Sequence, residues 1–127
     1  MIKVQKAADG KLKQRIDANG IELFADVPVE NGGDNTGPDG HGLLDAALGA
    51  CTALTLTMVA RRKQIPLTDA RVTITHTEEQ GVYHLQRQIE LIGELSDEQR
   101  AYLLGIANKC PIHKVLSGEI EIGTSLV

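Results

Sequence analysis

Two cysteines, Cys51 and Cys110, are the residues of this chain whose chemistry could be covalent or redox in kind. Cys51 lies within an apolar stretch, where a free cysteine is commonly a small core residue. Cys110 precedes Pro111, and a cysteine at the N-cap of a helix meets backbone N–H groups that favour a thiolate. His113, about one helical turn further on, could hydrogen-bond that thiol. The two cysteines are 59 positions apart, so only the fold can bring them together.

Three chemical roles are open to the cysteines at this point: inert core thiols, metal ligands, or a redox pair. The segment Cys-Pro-Ile-His plus one distant cysteine lacks a dependable fourth ligand, so we expect no metal. The segment 28–42 is rich in Gly, Asn, Asp and Pro but lacks the lysine and spacing of a phosphate-binding loop. We therefore expect no nucleotide and no other cofactor.

Composition limits the class of protein. A chain of 127 residues has the usual size of one domain, and we expect a single domain over residues 1–127. Its hydrophobic share of 42% suffices for a core, which must be mainly aliphatic because Phe24, Tyr83 and Tyr102 are the only aromatic residues. The net charge is −4, with both signs mixed along the chain, so we expect no nucleic-acid partner.

The N-terminal residues do not resemble a signal peptide, which predicts a cytoplasmic location and reduced cysteines. The longest mainly apolar stretch is 43–60. It contains Asp45 and several glycine and threonine interruptions, and arginines follow it. We interpret it as a buried helix and expect no membrane span.

Hydrophobic periodicity and turn residues predict an α+β protein with antiparallel sheets. Asn19-Gly20 is a strong hairpin signal, and Ser96 with Gln99 has the form of a capping box. The predicted elements are three strands within 2–27, a loop over 28–42, a helix over about 43–63, strands at 71–77 and 82–95, a helix from Ser96 to near Lys109, a short helix from Pro111, and a strand over 119–126.

The first predicted helix is apolar on most of its surface. Alternating steps of four and three residues define the face that we expect to be buried, and this face contains the first cysteine. Its residues are Leu44, Leu48, Cys51, Thr55 and Met58.

Two motif regions resemble those of the OsmC/Ohr family, and most closely its OsmC-like branch. The first contains Gly32-Gly33-Asp34, Gly37-Pro38, Leu43-Leu44 and Ala46-Ala-Leu-Gly-Ala-Cys51-Thr-Ala-Leu-Thr-Leu. The second contains Arg87-x-Ile89-x-Leu91-x-Gly93-x-Leu95, Gln99-Arg100, Leu103-Leu104, Ile106-Ala107 and Lys109-Cys110-Pro111-Ile112-His113-Lys114. The resemblance covers about residues 20 to 126, and both cysteine motifs occur in the family's order.

The resemblance implies antiparallel sheets wrapped around a long central helix and a second helix, in an intertwined homodimer with active sites at the subunit interface. It also implies a thiol-dependent peroxidase that reduces organic hydroperoxides. Cys51 would be the peroxidatic cysteine, forming a sulfenic acid, and Cys110 would resolve it to an intramolecular disulfide. A dithiol such as a reduced lipoyl protein, or another thiol, would restore the pair. The apolar residues expected to bind the substrate are Leu48, Leu54, Thr55 and Met58.

The sequence departs from the family pattern at two positions. Family peroxidases carry a Glu about ten residues before the first cysteine, where this chain has His41 or Gly42. They also carry an Arg on an N-terminal strand, for which Arg15 is the candidate, with Lys11 and Lys13 as competitors. We therefore hypothesise that His41 acts as the local base or charge partner of Cys51 and that Arg15 takes the place of the family Arg.

These departures keep a second function open. The retained cysteine pair favours a peroxidase that acts in oxidative-stress defence, or a slow thiol redox sensor. The missing Glu favours a protein without peroxidase activity, which would bind a small apolar ligand or act as a slow thiol redox sensor.

Overall fold

Three antiparallel strands form the first sheet of the computed structural model, which describes all residues 1–127. The strands are β1 (Ile2–Lys6), β2 (Gln14–Ala18) and β3 (Ile21–Ala25), in the spatial order β1-β2-β3. The hairpin at Asn19-Gly20 has positive φ at both residues, as the type I′ turn requires. The predicted three-stranded meander is confirmed. It belongs to the first of two compact units, residues 1–44 and 45–127.

The loop after β3 is held by a buried carboxylate. A short 3-10 turn spans Val29–Asn31. The Asp26 side chain, 4% exposed, accepts backbone N–H bonds from Val27, Asp34 and Thr36 at 2.8, 3.3 and 3.0 Å, and the Thr36 hydroxyl at 2.6 Å. The hydrogen bond from the Thr36 hydroxyl is the largest influence, and together these donors lower the pKa of Asp26 from 3.8 to about 2. The loop is thereby fixed although it has little regular structure.

The long helix α1 spans Gly40–Arg62, three residues earlier than the predicted start at Leu43. Asp39 explains the difference, because its side chain accepts the Gly42 N–H at 2.8 Å and caps the first turn. By length and composition alone α1 could cross a membrane, a test that core helices of soluble proteins also pass.

The buried face of α1 differs from the predicted one. Within this chain the helix buries every fourth residue, namely Leu48, Thr52, Leu56 and Ala60. Of the predicted row, Leu44 and Met58 are exposed and Cys51 is half-buried. Thr52 escaped prediction because it is polar, but its hydroxyl is satisfied by the Leu48 carbonyl at 2.7 Å, which allows complete burial.

The second sheet is a long hairpin of β4 (Asp69–Glu79) and β5 (Val82–Ile92). Gln80 and Gly81, both at positive φ, form a two-residue turn. The hairpin is confirmed, but β5 ends at Ile92 and not at the predicted residue 95. Gly93 adopts a φ of +145°, and a Cβ there would lie 2.2 Å from the Pro66 carbonyl oxygen, so the backbone leaves the strand at this glycine.

Two helices follow the hairpin. Helix α2 spans Asp97–Ala107 and opens with the predicted capping box of Ser96 and Gln99. Helix α3 spans Pro111–Ser117, with Cys110 as N-cap. The predicted strand over 119–126 is wrong for the single chain. Its apolar side chains are exposed and its backbone has no strand beside it, and alternation alone cannot supply that partner.

The core of the second unit is aliphatic, as predicted. Its buried residues are Leu56, Ala60, Ala70, Leu103 and Ala107, and the partly buried residues that pack on them are Ile65, Leu67, Ile89, Leu91, Leu95 and Ile106. This core fixes α1 and α2 against the hairpin, and so positions the segments that carry the two cysteines. The chain is thus an α+β protein with two antiparallel sheets and three α-helices.

Candidate functional site

Cys110 lies between α2 and α3 and is fully buried. Pro111 at the first helical position begins α3 directly after it, which fixes Cys110 as the N-cap. Its sulfur accepts the backbone N–H of His113 at 3.4 Å. The predicted N-cap role of Cys110 is therefore confirmed.

The fold brings Cys51 to Cys110. Cys51 lies in the middle of α1, half-buried, directly before Thr52, whose hydroxyl lies 4.0 Å from the Cys110 sulfur. The Cys51 side chain is also one of the groups that lower the pKa of Cys110. Both cysteines are free thiols in this structure. Two residues that the sequence separates by more than fifty positions thus form one pair of thiols, with one member buried and the other partly open to solvent.

The electrostatics of the pair favour negative charge on Cys110. Burial raises the pKa of the Cys110 thiol. Hydrogen bonds from the His113 N–H, the Cys51 side chain, the Thr52 hydroxyl and the Ile112 N–H exceed that effect, so the pKa falls below its ordinary 9.0. Because the donors stabilise the thiolate, Cys110 loses its proton more readily than an ordinary thiol.

Thr52 joins the thiols to a basic side chain. Its hydroxyl oxygen lies 4.0 Å from the Cys110 sulfur and accepts a hydrogen bond of 3.1 Å from Nη1 of Arg87. Threonine carries one O–H, and the Leu48 carbonyl at 2.7 Å is the nearer acceptor for it. The O–H can therefore serve either that carbonyl or the sulfur, and it gains most from the sulfur when Cys110 is ionised.

Arg87 extends from β5 and holds the segments around both cysteines. Its Nη2 donates to Asn108 Oδ1 and to His113 Nδ1, each at 3.0 Å. Because arginine only donates, His113 Nδ1 must accept, which makes this imidazole neutral with its proton on Nε2. Arg87 thus connects Thr52 of α1, Asn108 at the end of α2 and His113 of α3.

Sequence reasoning gave Arg87 no role of its own. One signal could have found it: alternation along β5 puts Arg87 on the same face as Leu85, Ile89 and Leu91, and all four are half-buried. An arginine on the apolar face of a half-buried strand needs polar partners. Those partners are the residues beside the thiols.

A cavity of about 230 Å³ adjoins this network. Arg87, His113, Tyr83 and Ser117 give it polar groups, and three leucines give it apolar walls. The complete lining is Leu48, Tyr83, Leu85, Arg87, His113, Leu116 and Ser117. Neither sulfur belongs to the lining.

A second polar cluster lies on the same hairpin. The Asp45 carboxylate accepts hydrogen bonds from the Tyr83 hydroxyl at 2.8 Å and from Nδ1 of His76. The His76 and Tyr83 rings stack with centroids 4.8 Å apart. This cluster ties the second turn of α1 to both strands of the hairpin.

The other candidate residues lie in different surroundings. His41 is in the first turn of α1, with Nδ1 at 3.7 Å from the Asp39 carboxylate. Arg15 is on β2, with Nε at 2.7 Å from the Glu22 carboxylate. Among the predicted substrate-binding residues Leu48 lines the cavity, whereas Leu54 and Met58 are exposed, Thr55 is half-buried, and none of the three lines it.

The family model described as OsmC-like protein matches residues 32–125 of the chain. None of the curated protein sequences matches it. Many solved structures share its fold, among them one described as an osmotic stress induced and detoxification response protein from Psychrobacter arcticus. That structure is 22% identical, with a TM-score of 0.74, over 90% of this chain and 85% of the other.

Two further structures are named for organic hydroperoxide resistance. One, from Vibrio cholerae, has captopril bound in one of its active sites; it is 25% identical, with a TM-score of 0.64, over 95% of this chain and 87% of that one. The other is OhrB of Bacillus subtilis, 18% identical, with a TM-score of 0.61, over 93% of this chain and 90% of that one.

Proposed function

Because the chain belongs to the OsmC-like family, we propose that it is a cysteine-based organic hydroperoxide reductase that acts in oxidative-stress defence. The observation that carries the proposal is the closeness of the two thiols. The Cys51 side chain helps to lower the pKa of Cys110, and the hydroxyl of Thr52, the next residue of α1, lies 4.0 Å from the Cys110 sulfur. Relatives of the same fold are named for resistance to organic hydroperoxides, which supports this substrate class.

The first step belongs to Cys51, the more accessible thiol. Its thiolate attacks the terminal oxygen of R–O–OH, the O–O bond breaks, and the alkoxide leaves with the electron pair and takes a proton to become the alcohol. Cys51 is then a sulfenic acid, oxidised by two electrons.

The second step belongs to Cys110. Its thiolate attacks the sulfur of the Cys51 sulfenic acid, the S–O bond breaks, and hydroxide leaves and is protonated to water. The donors that lower the pKa of Cys110 favour its thiolate, which is the attacking form, although the residue is buried. A dithiol, such as a reduced lipoyl protein, then exchanges with the disulfide, becomes oxidised itself and restores both thiols.

Arg87 contributes to both steps as a positioning residue. Its hydrogen bonds to Thr52, Asn108 and His113 hold α1, the end of α2 and α3 in place. The relative positions of these segments determine the distance between the two sulfur atoms. A disulfide requires Cα atoms within about 7 Å, so small displacements of these segments would slow its formation.

His41 and Arg15 are proposed to assist Cys51 in place of the family Glu and Arg. His41 Nδ1 lies 3.7 Å from the Asp39 carboxylate, which can orient the imidazole ring. The test is the rate of Cys51 alkylation between about pH 5 and 8, where histidine titrates. We expect His41→Ala to flatten this profile and Arg15→Met to lower it, whereas unchanged profiles would remove both residues from the mechanism.

A cytoplasmic, intertwined homodimer is part of the proposal. Leu54 and Met58 of α1 are 63% and 57% exposed in the single chain, and Ile122 of the alternating C-terminal segment is 86% exposed. These apolar side chains would be covered, and the segment 119–126 would gain a strand partner, in a second copy. We expect sedimentation equilibrium to give twice the mass of one chain, and a monomer at micromolar concentration would contradict the dimer.

The activity is tested by consumption of cumene hydroperoxide with reduced lipoamide as the dithiol. The proposal predicts many turnovers per chain and one alcohol formed for each dithiol oxidised. Oxidation of the thiols without turnover would indicate the redox sensor instead. Thiols that stay reduced under prolonged exposure would leave only the ligand-binding alternative.

A further inference from the structure

The cavity beside Arg87 has the composition of a ligand site, with one cation, further polar groups and apolar walls. We propose that it binds a small aliphatic monocarboxylate, with the carboxylate on Arg87 and the chain against Leu48, Leu85 and Leu116. Neither cysteine lines the cavity. The inference therefore goes beyond the proposed function and stands whether or not the protein reduces peroxides.

Arg87 lacks a counter-charge. Its three partners are the Thr52 hydroxyl, the Asn108 side-chain carbonyl and the neutral His113 ring, and it forms no ion pair. A guanidinium has five N–H donors, and these bonds use three of them. A half-buried cation with unused donors gains strongly from an anion that enters its cavity.

The single positive charge of the cavity favours a ligand that carries one negative charge. Arg87 is the only cation in the lining, because His113 accepts from Arg87 and is neutral. The nearby carboxylate of Asp45 is already engaged by His76 and by the hydroxyl of Tyr83. A carboxylate matches one guanidinium, whereas a phosphate would bring a second charge without a second cation.

The walls and the volume select the rest of the ligand. Three leucine side chains favour an alkyl chain over a polar body. A volume of about 230 Å³ equals the space of roughly eight water molecules in the liquid. A chain of about five to seven carbons fills it, with Ser117 beside the polar end.

Calorimetric titration with hexanoate and with hexanamide tests the proposal, because the two differ mainly in charge. On wild-type protein we expect hexanoate to bind at least tenfold more tightly, a difference of about 1.4 kcal/mol. Equal affinities, or binding of inorganic phosphate in preference to hexanoate, would overturn it. This comparison needs no variant, so it holds even if a substitution at Arg87 impairs folding.

Variants then locate the bound carboxylate. Arg87→Met is expected to lose the preference for hexanoate, Arg87→Lys to keep part of it, and Arg71→Met, a change on the neighbouring strand, to keep all of it. If Arg71→Met lost the preference as well, a general charge effect would replace the proposed site. Cys51→Ser is expected to bind hexanoate like the wild type, which separates this inference from any failure of the peroxidase proposal. Loss of binding in Cys51→Ser would contradict a site independent of the thiols.

Discussion

Asp26 and Cys110 are two buried acidic groups whose anionic forms are stabilised by similar hydrogen-bond donors, but the surroundings of the two groups differ. Both accept backbone N–H groups and a threonine hydroxyl, and both have lowered pKa values. Around Asp26 all the donors come from its own loop, so the negative charge serves only to fix that loop. Around Cys110 one donor is a second thiol. Hydrogen bonds to a buried anion therefore do not make a reactive site unless a reaction partner stands beside the anion.

The largest effect is expected when that partner is removed. Cys51→Ser should lower hydroperoxide consumption to the uncatalysed background, because serine cannot be oxidised to the sulfenic acid on which both steps depend. Peroxide consumption with a dithiol measures the loss. Substantial activity in this variant would move the first step away from Cys51.

Cys110→Ser should separate the two steps. Turnover with the dithiol is expected to fall, while one equivalent of hydroperoxide still oxidises Cys51. The sulfenic acid then persists, since the resolving thiol is absent, and dimedone should trap it in the intact-mass spectrum. If the variant accumulated no trappable species, or turned over like the wild type, the assigned roles would be reversed or wrong.

Arg87→Met should slow disulfide formation by about tenfold, equal to roughly 1.4 kcal/mol of barrier. The reason is the loss of its bonds to the segments that hold the sulfurs. Stopped-flow measurement of thiol loss gives the rate, and Arg71→Met on the neighbouring strand is the control. Equal slowing in both variants would assign the effect to the sheet and not to the site.

Thr52→Val should raise the pKa of Cys110, because one hydrogen-bond donor to the thiolate is lost. At pH values below the ordinary thiol pKa, disulfide formation should then be slower by a few-fold, since less of Cys110 is ionised. Thr57→Val is the matched control, since Thr57 bonds the Ala53 carbonyl of the same helix in the same way and is exposed. Thiolate absorbance near 240 nm against pH measures the change. An unaltered titration would show that the Thr52 hydroxyl serves only the Leu48 carbonyl.

Asp26→Asn should leave the thiol rates unchanged and lower Tm by about 4 °C or more at pH 7. The pKa of Asp26 in the folded protein is about 2, below its ordinary 3.8. Its stabilisation is therefore full above about pH 4 and is lost as the pH falls towards 2. Calorimetry across this range should show the difference from wild type shrinking. Asp17→Asn, at a carboxylate with one backbone N–H partner, should cost less.

The sequence predicted the elements well where short-range chemistry decides them. Asn19-Gly20, the Ser96 capping box and Cys110-Pro111 each act within four residues, and each is confirmed. The buried face of α1 was misplaced because Thr52 is polar, and its burial depends on a backbone carbonyl and on Arg87. Arg87 was missed as a site residue because its partners lie on three other segments, which only the folded chain assembles.

The strand predicted at 119–126 shows that a local pattern can also predict an element that the single chain does not form. Alternation of Ile120 and Ile122 is a local property, whereas a strand needs a neighbouring backbone, and this chain offers none there. The closeness of Cys51 and Cys110 was likewise beyond any local pattern. The family resemblance implied it, and the packing of α1 and α2 on the hairpin produces it.

The central claim is that Cys51 and Cys110 act as one redox pair, and intact mass with free-thiol counting after one equivalent of cumene hydroperoxide tests it most directly. The account predicts rapid loss of both thiols, a mass lower by about two hydrogens, and a single Cys51–Cys110 cross-link in the peptide map. Two free thiols after prolonged exposure, or a cross-link between chains in place of the one within the chain, would contradict it.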